Sequence, residues 1–255
     1  MLKKAFTLVE LLVVIVIISV LMAIMLPSMS AARQQGKQTY CLNNLRQMFI
    51  AVQAYTQMYD DYYPTAHFIQ QTDSQTCEHC WDFSTITETA GNKVKVVPGL
   101  LWQGQTIEKV QQCPSFKGSS NTQYDPYTGY NYNTSYIGHG EGETIETPAR
   151  VSQVGRPSEC ALFGDGQWSG GANKFMRAPK KWAGDTDNSL KAAGTQGYRH
   201  REKTNVAWCD GHTSSPKEYY TETAQSEKKK IERYNKISED KIGFLSPDNS
   251  AYDLE

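Results

Sequence analysis

Apolar residues crowd the start of this chain. From Phe6 to Leu26 the run is broken only by Thr7, Glu10 and Ser19. As a helix those residues span roughly 32 Å, about the thickness of a bilayer's hydrocarbon core. The next stretch, "SMSAARQQGKQ" at 28–38, has no apolar stripe. Pro27 and Gly36 both disfavour a helix interior, so a pliable neck is expected there. Periodicity returns at Cys41, Leu45, Met48, Val52, Tyr55 and Tyr59, with Phe49 beside them. Steps of four and three residues place these on one face of an amphipathic helix. The two segments predict one helix from residue 6 to about 59, ~80 Å long if straight. "DDYYP" at 60–64 ends it, because a proline pushes the residue before it out of the helical region.

Downstream, the pattern is one of short strands in long loops. "KVKVVPG" (93–99), "GYNYNTSYIG" (129–138), "ECALFGDG" (159–166) and "NVAWCDG" (205–211) carry β-formers bounded by Gly and Pro. Tyr130, Tyr132, Thr134 and Tyr136 alternate, which suits a packed sheet face or, less commonly, a sugar-binding one. Trp168 and Trp182 in glycine-rich loops admit the same two readings. From Lys217 onward the chain is highly charged. A short surface helix near 225–237 is expected there, followed by fraying.

The 255 residues suffice for one domain plus an accessory segment, or for two small domains. A formal charge of −1 implies no strong pull toward nucleic acid or anionic lipid. The mean hydropathy of −0.57 excludes a polytopic membrane protein. A polar, tyrosine-rich body behind one greasy leader reads as exported. Lys3 and Lys4 precede the apolar run, so the amino end should stay cytoplasmic and the body face outward. A cleaved secretory signal is the alternative, with "SMSAA" at 28–32 as its cleavage site. Against it, the run exceeds the usual apolar region of about 7–15 residues. It also contains Glu10, an acid that costs roughly 2.5 kcal/mol or more at a membrane helix centre.

"KKAFTLVELLVVIVIISVLMAIMLP" resembles the class III signal of type IV prepilins and type II secretion pseudopilins. The resemblance implies cleavage between Ala5 and Phe6 by a prepilin peptidase, then methylation of the new amine. Ala5 stands where most members carry Gly, which implies slower processing. Pro27 stands where many pilins have a helix-kinking proline. Glu10 would pair with the cationic amine of a neighbouring subunit, since a paired buried charge is tolerated where an isolated one is not. "RHREKTNVAWCDGH" adds a second resemblance, to prepilin-like proteins with a His, nine residues and Asp-Gly, here His200, Asp210 and Gly211. "YCLNNLRQMFIAVQAY", "YYPT" at 62–65 and "CPS" at 113–115 fit the same comparison.

The implied fold is α+β and pilin-like: one long N-terminal α-helix, transmembrane then amphipathic, packed on a small antiparallel β-sheet domain with long loops. Its expected divisions are a cleaved leader (1–5), an assembly helix (6–27), a neck and amphipathic helix (28–59), a β-rich domain (60–216) and a charged tail (217–255). The implied role is a structural subunit of a type IV pilus-like or pseudopilus fibre, not an enzyme. Its partners would be copies of itself, other pilins, the prepilin peptidase and an inner-membrane assembly platform with its cytoplasmic ATPase. The alternative is a minor tip or surface-anchored protein that captures polysaccharide or a secreted substrate.

Other chemistry finds less support. If "REKT" forms a turn, His200 lies opposite Asn205 and Asp210 is about 17 Å further along the strand, so the two are structural rather than a catalytic or metal pair. Asp210-Gly211 suits a turn, with Asp accepting backbone N–H groups and Gly taking positive φ. Six cysteines (Cys41, Cys77, Cys80, Cys113, Cys160, Cys209) allow 15 disulfide pairings. Zinc at "CEHC" (77–80) with Cys113 or His67 is weaker than disulfides, for which Cys77, Cys80 and Cys113 are the leading loop staples. Calcium at "DTDNSL" (185–190) lacks the glycine and distal glutamate of an EF-hand loop. No cofactor is therefore expected. No phosphate-cradling loop, nucleophile elbow or basic aromatic patch for nucleic acid is present.

Overall fold

The computed structural model describes residues 7–91, 93–102, 108–140, 145, 147–182 and 191–255. The calcium candidate at 185–190 and the cleavage-site residues Ala5 and Phe6 lie outside them.

Helix α1 (Leu8–Met58) holds 51 residues, about 77 Å of rod. It starts at a capping box: Thr7 accepts the Glu10 N–H, and the Glu10 carboxylate accepts the Thr7 N–H. The neck expected at 28–38 is helical throughout, and α1 runs on through both Pro27 and Gly36. One proline removes a single backbone donor, and the Ala, Arg and Gln residues that follow favour the helix. Residues before Gln38 are exposed, and burial begins there. Cys41, Leu45 and Met48 are fully buried, as are Val52 and Tyr55 nearly so. Tyr59 lies just past the helix, half-exposed, its ring stacked on Tyr55 at 4.2 Å.

The domain holds two main sheets, and the second of them receives that face. Strands β1 (His67–Gln71), β2 (Gln75–Cys80), β3 (Phe83–Glu88) and β4 (Val94–Pro98) form an antiparallel meander in chain order. Only β4 of these was legible in the strand pattern. Strands β5 (Asn131–Asn133), β6 (Ala161–Gly164), β7 (Phe175–Met176), β9 (Val206–Trp208) and β10 (Thr213–Ser214) form a second sheet. Its order is β10-β9-β6-β5-β7, antiparallel except for β5 with β7. A small antiparallel pair joins β8 (Gln196–Gly197) to β11 (Ile242–Gly243). The architecture is α+β and pilin-like, one long helix packed on a largely antiparallel β domain.

The core between helix and sheets is aromatic. Trp81, Tyr132 and Phe163 lie with ring centroids 5.1–5.7 Å apart, and the Trp81 indole donates to the Lys174 carbonyl. Tyr130, Tyr132 and Thr134 are all buried, so their alternation is a packing pattern. The expected strand stops at Asn133, whose side chain accepts the Tyr136 N–H and closes a π-helical turn over Thr134–Gly138. Lys174 is buried between Asp82 (3.0 Å) and Asp125 (3.1 Å). Burial pushes the Asp82 carboxyl up, and the acids outweigh burial to push the Lys174 ammonium up too.

The charged tail does not fray. Helix α2 (Gln225–Ile237) is present, and the chain beyond it returns to the core. Ile242, Phe244 and Tyr252 are buried, and the Asn133 amide donates to the Tyr252 carbonyl at 2.8 Å. Three apolar side chains hidden in a charged composition anchor the whole segment.

Candidate functional site: the N-terminal helix and its junction with the domain

The first half of α1 is apolar and bare. Every large hydrophobic residue from Leu8 to Leu26 is exposed, Leu8 at 80% and Leu26 at 67%. The helix is long and apolar enough to cross a membrane. Its few polar atoms are satisfied within the helix. The Ser19 hydroxyl donates to the Ile15 carbonyl at 2.7 Å. The Thr7 N–H and hydroxyl both donate to Glu10 Oε2 at 2.8 Å. A carboxylate in the first turn also faces the positive end of the helix dipole. Both of these bonds fall on one carboxylate oxygen. Pro27 sits on the exposed part of the same helix, 11 residues before the first buried position, Gln38.

The second half of α1 meets the residues around His200. Arg201 and Glu202 have φ of 56° and 61°, and His200 exchanges two backbone hydrogen bonds with Lys203. That is a two-residue hairpin turn, tighter than the expected "REKT" loop. His200 therefore faces Lys203 rather than Asn205, whose N–H goes to Asp165 Oδ2 at 2.7 Å. Asp210 Oδ1 accepts the His212 N–H at 3.0 Å and meets its ring nitrogen at 2.6 Å. Gly211 has φ of 89° and lies against the Phe49 ring of α1. His200 and Asp210 thus have separate partners and serve separate places in the fold.

The cysteines sort differently from the expected grouping. Cys113 is nowhere among the β2 thiols; its sulfur lies 3.1 Å from that of Cys41 on α1. Cys77 and Cys80, three apart on β2, project to opposite faces. Cys80 shares a face with Glu78, near His67. Cys160 is beside Cys209, whose N–H donates to the Cys160 carbonyl at 3.0 Å, while the Cys160 thiol donates to the Tyr252 carbonyl at 3.4 Å. All six are buried thiols.

Around Cys41 and Cys113 a buried polar cluster forms. His200 Nε2 is 3.6 Å from Cys113 Sγ and 3.4 Å from Asp165 Oδ2. Arg199 donates to Cys113 Sγ at 3.3 Å and to Asp165 Oδ1 at 3.1 Å. Burial drives the Cys113 thiol up, but the Cys41 hydrogen bond and the Arg199 guanidinium outweigh it and hold Cys113 well below the usual range. The hydrogen bond to Cys113, together with burial, pushes Cys41 the other way. Burial lowers His200, yet the Asp165 carboxylate prevails and pushes it up to about 9. Neither Asp165 nor Arg199 was singled out in the sequence. The only local signals were an acid between two glycines at the end of β6 and a cation adjoining His200.

None of the curated proteins and none of the solved structures matches this chain. Residues 1–26 match the family described as "Prokaryotic N-terminal methylation motif", so the amino end carries a type IV pilin-like class III signal.

Proposed function

We propose that this chain is a structural subunit of a type IV pilus-like or type II secretion pseudopilus fibre. One observation carries the reading: the class III signal opens a helix whose first thirty residues are bare and whose remainder packs one face on a domain. Such a rod is stable in lipid or against its own copies, because water penalises each exposed apolar side chain. Prepilin peptidase cuts between Ala5 and Phe6 and methylates Phe6. The precursor spans the inner membrane with its amino end cytoplasmic and the domain outside. Assembly then moves the rod from lipid into a helical core, with the globular domains as coat. There Glu10 pairs with the Phe6 amine of a neighbour, which stabilises correct stacking more than displaced stacking. The role is structural rather than catalytic.

The test is Glu10→Ala in the native host. The mature chain should still begin at methylated Phe6 by mass spectrometry, while sheared-surface and envelope fractions lose filaments containing it. Normal filament yield removes the role of Glu10, and an intact Ala5–Phe6 bond in all native material removes the whole reading. A minor tip subunit is the second reading. It is favoured by Trp168, which is 43% exposed beside a shallow groove of about 320 Å³ lined by Lys230, Arg233 and Tyr234. Copy number separates the two, since a major subunit dominates the fibre and a tip protein is scarce.

A further inference from the structure

The geometry points to a structural zinc-type metal site at Cys41, Cys113, Asp165 and His200, locking the long helix to its domain. The four side chains are contributed by α1, the segment before β5, the end of β6 and the turn before β9. All four residues are buried, and one ligand atom from each lies within 4.8 Å of the others.

The spacings resemble the edges of a coordination tetrahedron. Zinc bonds of about 2.3 Å to sulfur and 2.0–2.2 Å to nitrogen or oxygen give edges of roughly 3.8 Å (S–S), 3.5 Å (S–N) and 3.4 Å (N–O). Observed are 3.1 Å between the sulfurs, 3.6 Å from Cys113 to His200 and 3.4 Å from His200 to Asp165. Of these three edges only the sulfur pair must open, by about 0.7 Å; the other three lie within 4.8 Å. The donor set, two thiolates with an imidazole and a carboxylate, suits a borderline-soft ion.

The charge and the contacts of Arg199 agree, while His200 Nδ1 is buried without a hydrogen-bond partner among the described residues. Two thiolates and a carboxylate around a divalent cation leave one negative charge, and buried Arg199 cancels it. Arg199 holds Cys113 Sγ and Asp165 Oδ1, which leaves Oδ2 turned toward His200. Such outer-shell contacts orient ligands and tune their affinity.

Two rival uses of these residues fit less well. A Cys-His-Asp relay needs the nucleophile on one ring nitrogen and the acid on the other. Here both partners converge on Nε2, and Cys113 is fully buried. A Cys41–Cys113 disulfide uses two of the four side chains and leaves the convergence of His200 and Asp165 on Cys113 without a purpose. Four protein ligands and no open position make the site structural rather than catalytic.

The full chain, extracted in detergent without chelator, should retain one equivalent of zinc after desalting, measured by inductively coupled plasma mass spectrometry. Cobalt(II) loaded in its place should give the intense visible bands of a tetrahedral ion and a thiolate-to-cobalt charge-transfer band. Cys41→Ser and His200→Gln should each weaken metal binding by at least the roughly 10–100-fold that outer-shell losses cost. Cys77→Ser with Cys80→Ser should leave the metal content unchanged. If a ligand variant fails to fold, the cobalt spectrum of the parent protein still reports coordination number and thiolate ligation. The proposal is overturned by substoichiometric metal in the parent protein, by a Cys41–Cys113 disulfide in non-reducing peptide maps, or by loss of the ion on removing Cys77 and Cys80.

Discussion

Gly211→Ala tests how the Asp-Gly turn is tied to the rod. Gly211 adopts φ of 89°, a conformation that an L side chain rarely takes, and holding one there costs about 1–3 kcal/mol. A Cβ at this position also collides with the Phe49 ring of α1, the three nearest atoms all lying within 2.8 Å. Phe49 is only half-buried and its ring can swing aside, so the lower end of overpacking costs, about 1 kcal/mol, applies. The sum is about 2–4 kcal/mol, a sizeable share of a domain stability of roughly 5–15 kcal/mol. Urea unfolding of the detergent-solubilised chain, followed by tryptophan fluorescence, measures it. Adding Phe49→Ala separates the two contributions, because the ring clash disappears while the backbone strain remains. The double variant should therefore show a coupling of about 1 kcal/mol in the cycle. A single-variant loss below about 0.5 kcal/mol, the range of inert surface changes, would refute the docking of this turn on the helix.

Lys174→Met leaves Asp82 and Asp125 buried without their cation and should cost about 3–5 kcal/mol near neutral pH by denaturant unfolding. Because the folded pKa of Lys174 is raised, its contribution is full below the unfolded value near 10.4 and declines as pH rises above that. On the alkaline side the gap between variant and parent should therefore narrow only above about pH 10, as read from unfolding midpoints across an alkaline series. Phe244→Ala should cost about 3–5 kcal/mol, because the residue is fully buried; a frayed tail would give no loss in the same assay. Glu10→Ala should abolish filaments without blocking maturation, as read by microscopy and N-terminal mass spectrometry.

The elements that repeat locally could be read from the chain alone. The apolar run from Phe6 to Leu26 and the stripe from Cys41 to Tyr55 each carry a signal within a few helical turns. Helical periodicity needs no partner to be visible. The Asp210-Gly211 turn was similarly readable, since it depends on one carboxylate and one residue free to take positive φ. The meander β1–β3 was not, because its strands mix Gln, Thr and Glu with few apolar residues and depend on one another for pairing. The packed tail was missed for a related reason. Ile242, Phe244 and Tyr252 are too few to outweigh the charged residues around them until the core offers them a place. The polar clusters belong entirely to the tertiary structure. Cys41 and Cys113 are 72 residues apart, and Cys113 and His200 are 87 apart. Composition weighed Cys113 with Cys77 and Cys80, whereas the packing of α1 on the sheets brought it to Cys41. Sequence carries local periodicity and turn chemistry, while contacts between distant polar side chains exist only once the chain has closed its loops and removed them from water.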